Sequence, residues 1–291
     1  MSTETINISK LGKSFDGNSV LKGVSAAVHA GEVIGVLGLN GAGKTTLLET
    51  LLGFCVPDSG CVRLFGRNSV HALDTATKAR IGFVPQCDEL VESMHGQQYL
   101  DLIAGFYPTW NLALIKRLTD EWTVPLNLKI NKLSVGQRQK LSILAALGHE
   151  PELLVLDEPV ASLDPLARRQ FLKELINISA ARDRTILFST HIVSDLERIA
   201  SRVWLIKDGD IAIDTELDSI KEHYVRVHLP PGVSAPASLP GLLSRRQEQS
   251  STILVFNHWS EATCTAVEKT CGPGFNVEVL ALEEIFLELH A

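Results

Sequence analysis

Apolar residues fall into short runs along this chain, and several of these runs are followed by segments of helical period. The runs at Val33–Leu37 and Leu153–Leu156 contain almost no polar residue, which is typical of parallel strands buried on both faces. A helical pattern follows the first run after a short loop, starting at Thr45. Further strands are predicted at 62–65, 80–84, 185–189 and 203–207, and further helices at 140–147 and 165–180. This order of elements predicts an α/β fold.

Two stretches depart from that alternation. Residues 4–30 alternate apolar and polar positions, which predicts two or three antiparallel strands with a hairpin turn at Asp16-Gly17-Asn18. Residues 89–122 are mostly helical in pattern, apart from the aromatic segment Phe106–Trp110. That segment either packs the helical region or forms a docking surface.

The pattern changes again near residue 215. Strands are expected at 224–229, 252–256 and 275–280, and helices at 261–271 and 282–289, with a Pro/Ser-rich loop at 230–241. We therefore expect two domains, residues 1–214 and a small α+β accessory domain at 215–291. The second carries no recognisable catalytic motif, and we expect it to be a packing or dimer-stabilising module.

Composition narrows the class of protein. The chain has 291 residues, 45% hydrophobic and 21% charged, and no apolar run approaches the length that spans a bilayer. Its beginning lacks the apolar core of a signal peptide, so we expect a cytoplasmic protein. The net charge of −7 and the absence of a long basic run argue against a nucleic acid partner. Five cysteines without a C-x-x-C pair are expected to be small buried residues rather than disulfides or zinc ligands.

A glycine-rich loop joins the strand at 33–37 to the following helix. GLNGAGKT at 38–45 fits G-x-x-x-x-G-K-[ST], with the strand before it and the helix after it that a phosphate-binding loop requires. Glycines allow successive backbone N–H groups to face one anion, Lys44 is placed to reach the β- and γ-phosphates, and the Thr45 hydroxyl can ligate Mg²⁺. The residues expected to hold the nucleotide here are Gly38, Asn40, Gly41, Ala42, Gly43, Lys44, Thr45 and Thr46. The chain is predicted to bind a nucleoside triphosphate.

Polar residues end three other predicted strands. Gln86 follows Pro85 at the end of one strand, Asp157 and Glu158 end another, and His191 ends a third. Ligands of open α/β sheets bind at the carboxyl ends of the strands, so all four side chains are aimed at the phosphates. Asp157 suits Mg²⁺, Gln86 suits the metal or the attacking water, and Glu158 suits the general base. A lone histidine more often has a structural role, so the assignment of His191 to the site depends on the other residues of this set.

Three further candidates can also be explained by an ordinary structural role. Ser134, Gly136 and Gln137 open a helix whose N-terminus can bind an anion, although Ser134 can also be an ordinary cap. Asp164 precedes Pro165 and can act as an N-cap alone. Phe15 can stack on an adenine ring or merely pack the sheet.

Taken together, these motifs resemble the ATP-binding cassette family. The resemblance covers residues 4–214 and rests on GLNGAGKTT, Gln86, LSVGQ, LLVLDEP, SLD and His191 in that order. It implies a P-loop NTPase fold with a RecA-like core, an antiparallel β subdomain and a helical subdomain at about 88–142. Val135 departs from the family, which usually has glycine there.

The resemblance also implies roles and partners. In the family, two cassettes dimerise head to tail, and the signature of one closes over the ATP and Mg²⁺ bound by the other. This assigns adenine stacking to Phe15, the Q-loop to Gln86, the trans signature to 134–137, the general base to Glu158, the D-loop to Asp164 and the switch histidine to His191. FYPTWN, DEPVASLDP, FSTHIVSDLERIA and ALEEIFLEL are similar to bacterial cassettes that serve separately encoded, mostly exporter-like membrane subunits.

We therefore expect an ATP-hydrolysing subunit of an ABC transporter on the cytoplasmic face of the plasma (inner) membrane. Its expected partners are a transmembrane subunit and a second ATP-binding subunit, either identical or paralogous. One alternative is a soluble ABC-type ATPase of ribosomes or chromosomes, whose members usually carry two fused cassettes or a long coiled-coil insertion. Another is a nucleoside or sugar kinase, which leaves Glu158, LSVGQ and His191 unexplained.

Overall fold

The computed structural model describes residues 4–69, 73–182, 184–233, 238–248 and 251–290. The chain divides into two compact units, Met1–Asp214 and Thr215–Ala291. The strands of the first unit are β1 (Glu4–Phe15), β2 (Asn18–His29), β3 (Val33–Leu37), β4 (Ser59–Leu64), β5 (Arg67–Asn68), β6 (Ile81–Val84), β7 (Leu153–Leu156), β8 (Thr185–Thr190), β9 (Arg202–Lys207) and β10 (Asp210–Glu216). Its helices are α1 (Lys44–Leu51), α2 (Thr75–Lys78), α3 (Gly96–Ala104), α4 (Leu112–Glu121), α5 (Val135–Leu147), α6 (Pro165–Arg182) and α7 (Val193–Ile199), with a 3₁₀ turn at Ile130–Lys132.

A six-stranded sheet forms the centre of the first unit. Its order is β10-β9-β3-β8-β7-β6, and the strands from β9 to β6 pair in parallel. Every residue of β3, β7 and β8 is buried, because parallel strands are covered on both faces. The continuous apolar runs in the sequence have this physical cause, and the predicted α/β fold class is confirmed.

The N-terminal stretch forms two strands rather than three, and they join a second sheet. Its order is β2-β1-β4-β5, and β1 pairs with both β2 and β4 in antiparallel fashion. Asp16 and Gly17 take positive φ values of 50° and 83° between the paired Phe15 and Asn18. Two left-handed residues make the tight turn that matches the twist of an antiparallel hairpin.

The predicted helix from residue 89 is wrong in its first turns. Residues 85–95 are irregular, and α3 begins only at Gly96. The backbone of this stretch bonds instead to a distant segment, with Asn131 N donating to Glu92 O at 3.1 Å and Ile130 N to Met94 O at 2.9 Å. These bonds compete with helix formation, and local periodicity does not reveal them. Conversely, α5 begins at Val135, five residues before the predicted start.

The second unit has its own sheet and core. Its strands are β11 (Val225–Leu229), β12 (Leu242–Glu248), β13 (Ser251–Phe256) and β14 (Asn276–Val279), in the order β12-β13-β11-β14. Its helices are α8 (Leu217–His223), α9 (Glu261–Cys271) and α10 (Leu282–His290). Buried Val227, Leu254, Phe256 and Val267 belong to one apolar cluster of this unit. Strand β12 was not expected from the sequence, and residues 234–237 of the predicted Pro/Ser-rich loop lie outside the described residues.

The exposure of the cysteines differs from the expectation drawn from composition. Only Cys271 is buried, Cys87 is exposed and the other three cysteines are half-buried, so the prediction that they are buried small residues is wrong for four of the five. Among the described residues, no helix is long and apolar enough to cross a membrane.

Candidate functional site

The carboxyl ends of four strands meet at one edge of the central sheet. In the parallel register, Leu37 of β3 pairs with Thr190 of β8, and Leu156 of β7 pairs with both Val84 of β6 and Phe188 of β8. The residues that follow these strand ends are therefore neighbours, as ligand sites of open α/β sheets require.

The glycine-rich loop curls between β3 and α1. Gly41 and Gly43 have φ values of 81° and 105°, where residues with a side chain are strained. A Cβ on Gly43 would also lie 3.1 Å from the carbonyl oxygen of Val20. No side chain caps α1, so its first N–H groups face the loop and can bind an anion.

The ammonium of Lys44 lies over this loop. Lys44 is only 6% exposed, and its Nζ donates to the carbonyls of Gly38 at 2.9 Å and Leu39 at 3.2 Å. The same Nζ lies 3.4 Å from Oε1 of the buried Glu158. The loop lysine and the carboxylate after β7 therefore share one site.

Glu158 joins the loop lysine to the histidine after β8. Its Oε2 lies 2.9 Å from Nδ1 of His191, whose side chain is 47% exposed. Glu158 has a positive φ of 47°, an arrangement that costs a non-glycine residue about 1–3 kcal/mol and often occurs at functional sites. The strained backbone points this carboxylate toward Lys44 and His191.

Ser189 was not recognised as a site residue from the sequence, but it fixes both acids. Its hydroxyl donates to Oδ1 of Asp157 at 2.5 Å and accepts the backbone N–H of Glu158 at 2.8 Å. Ser189 and Asp157 are 0% and 2% exposed. Its position follows from the parallel register of β7 with β8, which pairs Leu156 with Phe188 and so places residue 189 beside residue 157.

Three oxygen-bearing side chains stand at the start of α1 and just after β6 and β7. The Thr45 hydroxyl lies 3.5 Å from Oε1 of Gln86, and Asp157 presents a buried carboxylate at the end of the neighbouring strand. Hydroxyl, amide and carboxylate oxygens are the donors that Mg²⁺ prefers, so the residues fit this ion. Within the described part of the chain, no group of three or more His, Cys, Asp or Glu residues could hold a metal ion.

The signature residues begin α5 as a capping box. Ser134 Oγ accepts from Gln137 N at 3.3 Å, and Gln137 Oε1 accepts from Ser134 N at 2.9 Å. A Cβ on Gly136 would lie 3.3 Å from the carbonyl oxygen of Ser162, and Val135 is 61% exposed. No hydrogen bond or ion pair connects Ser134 to Lys44 among the described residues. The structure thus brings the loop, Gln86, Asp157, Glu158 and His191 to one edge, but does not join the signature to them.

The positions of Asp164 and Phe15 are compatible with a site role and also with an ordinary structural role. Asp164 Oδ1 accepts from Ala167 N at 2.9 Å and Leu166 N at 3.0 Å, and these bonds hold the pKa of its carboxyl below the ordinary value. Phe15 is 47% exposed, with the ammonium of Lys13 at 5.0 Å from its ring centroid. Its exposure leaves a ring face available for stacking.

A groove of about 580 Å³ runs along the sheet edge at β6 and the nearby helices. Tyr107 and His149 stack on its wall with ring centroids 3.8 Å apart, and His149 Nε2 lies 3.0 Å from the carbonyl oxygen of Ile81. The two expectations for the aromatic segment each hold for one residue. Tyr107 packs against His149, whereas the side chain of Phe106 is 70% exposed. Burial is the main cause that raises the pKa of Glu49 in this groove, followed by the charges of Asp157 and Glu89.

Known proteins of similar sequence are ATP-binding proteins of ABC transporters and related exporters. The protein-family profile for ABC transporters matches residues 21–161. The ABC transporter ATP-binding protein YtrB of Bacillus subtilis is 30% identical over 77% of this chain and 76% of its own length. The Nod factor export ATP-binding protein I of Paraburkholderia xenovorans is 35% identical over 72% of this chain and 70% of its own.

Solved structures show the same fold. The structure of an ATP-binding subunit of an ABC transporter superposes with a TM-score of 0.67 at 27% identity, over 75% of this chain and 92% of that one. The ATP-binding cassette MJ0796, solved as a dimer bound to ADP and Pi, superposes with a TM-score of 0.65 at 22% identity, over 73% of this chain and 98% of that one.

Proposed function

This chain belongs to the ABC transporter family, and we propose that it hydrolyses MgATP in a head-to-tail dimer to power transport, in the export direction, through a separate membrane subunit. One observation carries the proposal. Glu158 lies between Lys44 and His191 at the carboxyl edge of the sheet, with Oε1 3.4 Å from Lys44 Nζ and Oε2 2.9 Å from His191 Nδ1.

This geometry suits in-line attack of water on a γ-phosphate. The backbone N–H groups of the loop and Lys44 hold the phosphates, so the γ-phosphorus is fixed near Glu158. The Glu158 carboxylate accepts a proton as water forms its bond to phosphorus and the bond to the β-phosphate oxygen breaks. His191 holds the orientation of that carboxylate through its Oε2 contact.

Magnesium would be held by Thr45 and Gln86, with Asp157 binding through water. When bound, it would neutralise charge on the β- and γ-phosphate oxygens. Ser189 keeps Asp157 in place through the 2.5 Å hydrogen bond.

The variant Glu158→Gln tests the general base. Its side chain keeps the shape and can still contact His191, but it cannot accept the proton. We expect ATP binding to persist and turnover to fall at least ~100-fold, the low end of acid–base contributions. Glu197→Gln, the same exchange at an exposed position of α7, is the matched control. Near-normal hydrolysis by Glu158→Gln, measured as phosphate release, would exclude this role.

The separation of the signature from Lys44 supports a dimer. Ser134 begins a helix that can bind phosphate, yet its hydroxyl is engaged in its own capping box and makes no contact with Lys44 among the described residues. A second cassette, identical or paralogous, would bring its Ser134 over the ATP held by this Lys44. MJ0796 is one cassette solved as a dimer.

We propose that the groove binds a cytoplasmic segment of the membrane subunit, which places the chain peripherally on the cytoplasmic face of the plasma membrane. Apolar Phe54, 69% exposed, and Phe83 lie on the groove wall with ring centroids 5.4 Å apart. Two acidic residues, Glu49 and Glu89, and one basic residue, Lys78, also line the groove. Its charge is therefore net negative, and the segment is expected to combine apolar and basic residues.

The partner proposal has a direct test. The chain expressed with its native membrane subunit should sediment with membranes, and Phe54→Glu should move it to the supernatant while its ATP binding stays unchanged. Val56→Glu changes another exposed apolar residue that does not line the groove, and serves as the control. Sedimentation unaffected by Phe54→Glu would contradict docking in this groove.

We also propose that residues 215–291 form an accessory domain without a part in nucleotide binding. Every residue that we assign to the phosphates lies before this segment. Its compact core and separate sheet support a module that folds around its own apolar cluster.

A further inference from the structure

A second polar depression lies away from the strand ends, between α6 and α7. It measures about 490 Å³ and is lined by three arginines and one carboxylate, together with apolar side chains and a serine. The arginines are Arg168 and Arg169 of α6 and Arg198 of α7. Nothing in the proposed hydrolysis uses these residues.

One of the three arginines is neutralised. Asp195 is 3% exposed and forms an ion pair with Arg168. Arg168 Nε donates to Oδ1 at 2.8 Å, and Arg168 Nη2 lies 2.6 Å from Oδ2. This charge-assisted contact holds the guanidinium against α7. Arg168 and Asp195 therefore build a fixed wall and contribute no net charge.

The other two arginines have no counter-charge among the described residues. Arg169 and Arg198 are exposed and make no ion pair with any other residue that the structure describes. Elsewhere in the same unit Arg80, Arg138 and Arg202 each bind carboxylates at 3.1 Å or less. Two like charges facing one depression raise its affinity for an anion.

The donors favour a phosphate group over a single carboxylate. Two guanidinium groups offer planar forks of N–H donors, and the exposed Ser194 hydroxyl lines the same depression. A phosphate dianion has enough oxygens and charge to satisfy both forks, whereas one carboxylate matches one fork. Leu166, 67% exposed, lies on the same depression and can contact a carbon portion of the ligand.

We propose that the depression between α6 and α7 is a second anion site, which binds a phosphate-bearing ligand through Arg169, Arg198 and Ser194. The phosphate can belong to a free compound or to the headgroup of a phospholipid. The inference is independent of the hydrolytic function, since its residues form no hydrogen bond or ion pair with Lys44 or Glu158 in the described structure.

The test uses the full chain with Lys44→Ala, which weakens phosphate binding at the glycine-rich loop. In one arm, inorganic pyrophosphate is titrated by calorimetry; in the other, the chain is floated with phosphatidylglycerol or phosphatidylcholine vesicles. Arg169→Gln/Arg198→Gln should lower the affinity for the probe that binds at least ~10-fold per arginine. This is the scale of a charge-assisted hydrogen bond. Arg63→Gln/Lys116→Gln removes two exposed charges elsewhere and is the control.

The two arms distinguish a free phosphate compound from a phospholipid headgroup as the ligand. Pyrophosphate binding that depends on Arg169 and Arg198 indicates a free phosphate compound, and arginine-dependent flotation with phosphatidylglycerol alone indicates a headgroup. Hydrogen exchange should show protection of 165–172 and 193–199 in the arm that binds. The proposal is overturned if the double variant matches the control in both arms, or if the chain with both arginines binds neither probe. Both positions are exposed, so unchanged circular dichroism should accompany each variant.

Discussion

Replacing Ser189 with alanine tests whether one buried hydroxyl positions the two acids of the site. Ser189 is fully buried, donates to Asp157 at 2.5 Å and accepts from the Glu158 N–H at 2.8 Å. Losing a hydrogen bond to a charged group costs about 1.5–3 kcal/mol, and a buried N–H left unpaired costs about 1–3 kcal/mol. Since the neighbouring groups relax in part, we expect the free energy of unfolding to fall by about 3 kcal/mol.

The catalytic effect should appear in turnover rather than in binding. Asp157 and Glu158 would lose their shared support, and a displacement of about 1 Å can cost ~100-fold in rate. We expect kcat to fall ~10–100-fold while the Kd for ATP changes less than ~3-fold, because the Ser189 hydroxyl bonds to Asp157 and Glu158 and, among the described residues, not to the glycine-rich loop. Urea unfolding and phosphate release measure the two effects. Ser9→Ala, on the exposed side of β1, is the control. A Ser189→Ala protein that matches Ser9→Ala in both stability and kcat would refute the positioning role.

Two other predictions concern parts of the chain away from the strand ends. Burial lowers the pKa of His149, so the unfolded chain binds a proton that the folded chain does not, and stability should fall as the pH drops below about 6.5, the ordinary histidine value. His149→Phe should remove that loss in urea unfolding at pH 7.5 and 5.5, and an unchanged pH dependence would contradict it. A chain ending at Asp214 should bind ATP with the affinity of the full chain in calorimetry, whereas a folded fragment unable to bind ATP would contradict the proposed role of residues 215–291.

The family and the fold class were predictable because their signals are local. A buried strand, a glycine-rich loop and a helix are adjacent in sequence, and the motif fixes their chemistry whatever surrounds them. The structural match and the identity to YtrB confirm both predictions. The roles of individual residues and the domain boundary stay predictions.

The errors arose where distant segments decide the structure. Residues 89–95 have a helical pattern, but the carbonyls of Glu92 and Met94 accept from the backbone of residues 130–131. Ser189 has an ordinary strand position, and its role depends on the neighbour that β7 places beside it. Cysteine burial depends on which side of an element faces the core, and four of the five positions are not buried.

The shared site between two chains is the central claim, and mixed dimers measure it most directly. One mixture pairs a Lys44→Ala chain with a Ser134→Arg chain, so that both defects fall in one composite site and the other site is intact. The second mixture pairs a chain carrying both changes with an unchanged chain, so that each composite site has one defect. Trapped ATP per dimer is the readout. We predict one trapped ATP in the first mixture and none in the second. More trapping in the second mixture than in the first would show that each site lies within a single chain.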